Sequence, residues 1–149
     1  MMRFPATILL FILVPTVARS QKQPAASSST TTVFCNDRSV CLPHSSIDLA
    51  LICDVYHHFE FPKQTMESIH HALSDGGRVI LIDFERIPGS SGEWTLGHVR
   101  AGKQAFIDEV QDAGFELVGE RTIAGFQENY FHEFCKISRL NRVGVRPPR

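Results

Sequence analysis

Residues 54 to 58 bring together Asp54, Tyr56, His57 and His58, side chains able to orient a ligand or to move a proton. Histidine titrates near neutral pH, which makes it the usual general base; a tyrosine beside it can stack on a ligand or hydrogen-bond to it. Each residue also has a plainer role. Asp54 can cap the helix that follows, and Tyr56, His57 and His58 can pack against the end of a strand. His57 and Tyr56 are the candidate catalytic residues.

The segment that positions them is Ile47 to Cys53, nearly all apolar and without two-residue alternation. Such a run suits a strand covered on both faces in a parallel sheet. Asp54 and its neighbours then stand at the carboxyl end of that strand, where open α/β sheets bind ligands.

Downstream, Phe61-Pro62 opens a stretch in which Met66, Ile69, Ala72 and Leu73 recur at helical spacing, closed by Asp75-Gly76-Gly77. Arg78 to Phe84 reads as a second buried strand, and the three pieces make a βαβ unit with parallel strands. A loop follows from Glu85 to His98, long enough to be functional. Asp83 at the second strand's end, with Trp94, His98 and Arg100, bounds an acceptor pocket or else forms a packed lid. Val99 to Ala113 is expected to be helical, with Gly114 as its stop. FELVGER and NYFHEFCKI form an antiparallel strand pair, and a short strand is expected at Val33.

Composition sets the frame. At 149 residues, with 43% hydrophobic and 21% charged residues, the chain is an ordinary globular sequence of one domain, which excludes fibrous and wholly disordered classes. Arg3, an apolar run from Ala6 to Val14 and the small residues Ala18 and Ser20 read as an export signal or uncleaved anchor over residues 1–20. Residues 21–32 are a Ser/Thr-rich linker, 33–138 the domain, and 139–149 a basic solvated tail carrying Arg139, Arg142, Arg146 and Arg149. Nucleic acid is not expected as a partner. The expected location is the periplasm or the exterior if the signal operates, and the cytoplasm otherwise.

Cys35 and Cys41 are spaced to bridge across a short loop, whereas Cys53 and Cys135 read as small apolar core residues. His70 and His71 fall near a helix end, where the dipole favours solvated imidazolium. Together with His57 and His58 they raise the question of a metal, but neither pair has the i,i+4 spacing of a helical zinc motif, and no metal is expected.

Taken together, DVYHHF, LSDGGRVILIDF, WTLGHVRAG and AGFELV resemble the second half of a class I S-adenosylmethionine-dependent methyltransferase, over roughly residues 33–137. The resemblance implies an α/β fold: a partial Rossmann-like sheet of two or three parallel strands, a C-terminal antiparallel pair and flanking helices. It implies S-adenosyl-L-methionine as cofactor and methyl transfer to an unidentified acceptor. Asp37 would lie near the adenine, with Asp54 and Val55 lining the cofactor site and Tyr56 and His57 the acceptor crevice. The family's Gly-rich turn after its first strand has no counterpart, because no glycine precedes Gly76. The alternative expectation is therefore a truncated, inactive family member acting through a protein partner at a bare sheet edge.

Overall fold

A computed structural model describes residues 30–138. The export signal, most of the linker and the basic tail lie outside the described residues. The α/β expectation holds: one four-stranded mixed sheet carries helices against one face.

Strand β1 is Ile47–Cys53, and a single 3-10 turn, Tyr56–His58, follows it. Helix α1 is Pro62–Ala72, with proline in its first turn, where the missing N–H costs nothing. Leu73 is not the last helical residue, as its spacing suggested, but the first of β2, Leu73–Phe84. The helix runs into the strand without a separate loop, and the slack is taken up by a register shift: Ile47 pairs with Leu73, yet Leu49 pairs with Arg78. The Asp75-Gly76-Gly77 stop forms this bulge, with Gly76 at φ 74°.

The stretch from Glu85 to His98 is not all loop, for Glu93–His98 forms a short helix α2. The next helix, α3, begins only at Lys103 and ends at Asp112, with Gly114 at φ 101° as its stop. Residues 99–102 are not helical, because Gly102 is extended at ψ 166° and caps α3 instead. Strands β3, Phe115–Arg121, and β4, Asn129–Lys136, pair antiparallel as expected.

The sheet order is β1-β2-β4-β3. β1 and β2 are parallel, β2 and β4 antiparallel, so the parallel set numbers two. The strand expected at Val33 is absent: Val33 and Phe34 are exposed, and the segment offers only an isolated bridge between Asn36 and Ser39. Among the described residues no strand lies beside it to complete a ladder.

The core lies on one face. Ala50, Ile52, Val79, Leu81 and Phe134 point there, against Met66 and Ile69 of α1 and Phe106 and Val110 of α3. Each of these side chains larger than alanine contributes about 1.5–3 kcal/mol on burial. On the opposite face Leu49, Leu51, Ile80, Ile82 and Phe131 are only half buried. Among the described residues β1 is an edge strand with helices on one side only, so the expected cover on both faces is not seen there. For the same reason Cys53 is exposed and Cys135 half buried rather than in the core. Cys35 and Cys41 are free thiols. His70 is half buried beside Phe115, with Nε2 3.3 Å from the Ile137 carbonyl, and is not a solvated helix-end residue.

No helix among the described residues is long and apolar enough to cross a membrane.

Candidate functional site

The parallel pair β1 and β2 ends with a change of backbone direction. Asp54 continues the ladder, its N–H donating to the Ile82 carbonyl at 2.9 Å, and then adopts φ 53°. This left-handed conformation is uncommon outside glycine but is tolerated by Asp. It turns the chain into the 3-10 turn that carries Tyr56, His57 and His58 over the end of β2.

There His57 meets Asp83. The His57 Nδ1 lies 2.7 Å from Asp83 Oδ1, and the two side chains are essentially inaccessible to solvent. The Asp83 carboxylate also accepts the His57 N–H at 3.1 Å and the Phe84 N–H at 2.8 Å. An acceptor-only carboxylate places the ring proton on Nδ1, which leaves Nε2 as the imidazole's lone-pair nitrogen. That Nε2 is buried and has no hydrogen-bond partner.

His58, exposed on the same turn, has Nε2 3.3 Å from Nε2 of His98 at the end of α2. Burial, and after it the neighbouring His57 and His98, holds the His58 imidazole below the usual histidine range. One ring nitrogen from each of His57, His58 and His98 lies within 4.8 Å of the others. Trp94 stacks on His98 with ring centroids 4.5 Å apart and meets Phe84 edge-on at 5.3 Å, walling one side.

Glu128 holds α2 in place, accepting the Gly92 N–H at 2.7 Å and the Thr95 hydroxyl at 2.6 Å. Those two donors keep its carboxyl below the usual range. The stretch that the sequence left open between acceptor pocket and packed lid is thus tied to the start of β4 while it presents Trp94 and His98 to the site.

Asp54 is exposed, and its Oδ1 accepts the Asn129 side-chain amide at 3.1 Å. Partial desolvation, and secondly the charge of Asp83, raises its carboxyl above the usual range. Val55 precedes the turn and is half buried. Asp37 is exposed; its carbonyl accepts the Thr65 hydroxyl at 3.1 Å, and Arg38 lies 3.8 Å over the Phe61 ring. These two contacts fix the Asp37 loop against the start of α1, the helix that opens just after the turn bearing Asp54's neighbours.

Tyr56 is placed differently. It is fully buried between Phe59 and Phe106, and its hydroxyl donates to Glu109 Oε2 at 3.0 Å. Arg100 grips the same carboxylate through both terminal nitrogens, at 2.7 and 2.6 Å. The tyrosine thus joins α3 to the strand end, as does Arg100, which turns to α3 rather than to a pocket. Sequence reasoning missed the meeting of His98 with His57 and His58: these residues lie on separate elements, 40 positions apart between His58 and His98, and no local spacing connects them.

The comparisons agree with this architecture. The family described as "Methyltransferase domain" matches residues 10–81, a match that starts inside the segment read as an export signal. No curated protein matches the chain significantly. Among solved structures, an S-adenosylmethionine-dependent methyltransferase from Aquifex aeolicus superposes with a TM-score of 0.61 at 11% identity, over 72% of this chain and 55% of that one. A putative methyltransferase of Haloferax volcanii, solved in complex with the Trm112 methyltransferase activator, gives 0.57 at 12% identity, over 70% and 60%. PigF with SAH gives 0.56 at 21% identity, over 68% and 34%. The chain thus resembles class I methyltransferases over just under half of its length and carries part of the Rossmann-like fold of these structures. It spans a little over half the length of the Aquifex relative.

Proposed function

We propose that this chain contributes to S-adenosylmethionine-dependent methyl transfer, supplying the strand-end part of the cofactor and acceptor crevice. The observation that carries the reading is the convergence, at the carboxyl ends of the parallel pair, of Asp54, the buried His57–Asp83 pair and the Asn129 amide. This is where the fold class binds its ligands.

The residues fit one part of the cofactor. Asp54, an exposed carboxylate on a fixed turn, and the Asp37 loop offer acceptors to the adenosine side. No Gly-rich turn to cradle the methionyl end exists among the described residues, and the first glycine of the sequence is Gly76. When bound, the cofactor supplies an electrophilic methyl group on sulfur. What the chain's own residues do is narrower: Asp54 and Asn129 orient a bound group, the Phe84 ring with Trp94 edge-on to it walls one side, and Asp83 fixes the His57 ring with Nε2 bare.

The test is calorimetric titration of S-adenosylmethionine into the folded full chain. Saturable heat is expected, reduced at least tenfold in affinity by Asp54→Asn, a replacement that tolerates the left-handed backbone. No heat from a sample whose circular dichroism shows it folded would remove the reading.

One observation favours a second reading, association through a partner. Among the described residues β1 pairs only with β2, and its other edge carries unpaired backbone groups beside a half-buried apolar face. A chain that sediments as a complex, and reverts to a monomer on Leu49→Pro with its circular dichroism retained, is the expected sign of it.

A further inference from the structure

His57, His58 and His98 form a cluster to which the proposed methyl transfer gives no joint role. Two of them are held from behind: Asp83 fixes His57 through Nδ1, and Trp94 stacks on His98. The His57 Nε2 is the more telling atom. A buried ring nitrogen without a partner forfeits the hydrogen bond it had in water, at about 1–3 kcal/mol, unless something else satisfies it. Nδ1 is already engaged by the carboxylate, so Nε2 is the ring's available ligand atom.

Distances point the same way. Two nitrogens on one tetrahedral zinc, with Zn–N of about 2.0–2.1 Å, stand about 3.3 Å apart. The Nε2 atoms of His58 and His98 are 3.3 Å apart, and one ring nitrogen from each of the three histidines falls within 4.8 Å of the others. Small rotations of the two exposed rings would close the remaining gap. A histidine ligand whose second nitrogen is bonded to a carboxylate is the common arrangement around such ions.

We propose that His57, His58 and His98 bind a first-row divalent ion that favours imidazole, with Zn²⁺ as the leading case and Asp83 orienting the buried ligand. Three nitrogens leave a fourth position open, and it faces solvent because His58 and His98 are exposed. A water or the oxygen or nitrogen of a small ligand completes the shell there. The proposal is independent of whether the chain binds S-adenosylmethionine.

The chain carries its own reporter, since Trp94 is its single tryptophan and lies against His98. Zn²⁺ and Co²⁺ are titrated into chelator-treated full chain, followed by calorimetry, cobalt visible absorption and tryptophan emission. The expected result is one equivalent bound, tetrahedral cobalt bands and quenching of Trp94 by Co²⁺. His58→Ala and His98→Ala each abolish the bands, and Asp83→Asn lowers affinity about 10–100-fold. Both alanine variants are at exposed positions, so folding, checked by circular dichroism, is retained. The proposal is overturned if the folded wild type binds no ion, if either alanine variant binds as tightly as wild type, or if thiolate-to-cobalt absorption shows that the cysteines hold the metal.

Discussion

The imidazole of His57 and the carboxylate of Asp83 face each other at 2.7 Å, buried, across the junction between the turn after β1 and the end of β2. The same carboxylate also accepts the His57 main-chain N–H, at Oδ2. The aspartate is thus a structural element of the turn as well as a partner of the ring.

Asp83→Ala should therefore be costly. It leaves a buried imidazole N–H and two main-chain N–H groups without their acceptor, at about 1–3 kcal/mol for each group left unsatisfied. Urea unfolding of the variant measures it. A loss under about 1 kcal/mol would mean that water takes over the carboxylate's role.

Tyr56→Phe should be mild. The ring stays packed between Phe59 and Phe106, Glu109 keeps its Arg100 fork, and one hydroxyl bond is lost, for about 0.5–1.5 kcal/mol. Ligand binding should be unchanged. If cofactor heat disappears while the unfolding midpoint stays put, Tyr56 belongs to the crevice rather than to the brace between the strand end and α3.

His132 should make the fold sensitive to acid. It is fully buried in β4, stacked on Tyr130, and neither ring nitrogen has a hydrogen-bond partner. Desolvation holds its imidazole below the usual histidine range, opposed chiefly by Glu120 at 3.6 Å. The unfolded chain accepts a proton that the folded chain resists, so stability rises with pH. This contribution is complete above about pH 6.5, the unfolded value, and is lost as pH falls through it toward the lower folded value. Unfolding midpoints for wild type and His132→Phe between pH 5 and 8 test this. Parallel slopes would rule it out.

Gly77 should resist substitution more than Gly76. A Cβ at Gly77 would lie 2.9 Å from the Ser74 carbonyl oxygen and 3.0 Å from Leu73 Cδ2. Gly77→Ala thus forces the bulge apart, at about 1–3 kcal/mol. Gly76 faces open space, so alanine there meets only the strain of φ 74°, about 1–2 kcal/mol. Thermal melts rank the two, and the reverse order would mean that the bulge yields freely.

Much of the architecture could be read beforehand because it rests on local periodicity. The apolar runs 47–53 and 78–84 became the parallel pair, and the glycines at 76 and 114 marked real turns. Errors arose where neighbours decide. An apolar run does not reveal whether its strand has one neighbour or two, so Cys53 was misjudged. The helix was read from Val99 on the strength of the face formed by Phe106, Ile107 and Val110, yet the segment before Lys103 is held by Arg100 turning to Glu109 and by the cap at Gly102. In the site, the strand-end cluster was legible as a group, but Tyr56 faces the core and His98 arrives from a helix too short to show a period.

The placement of β4 between β2 and β3 has a kinetic consequence. β3 and β4 are close in sequence and can pair early, whereas β4 must then find β2 across the 44 residues between Phe84 and Asn129. Docking of a preformed hairpin onto the βαβ unit is thus the slow event to expect, and substitutions along the β2–β4 seam should retard refolding more than those at the β1 edge.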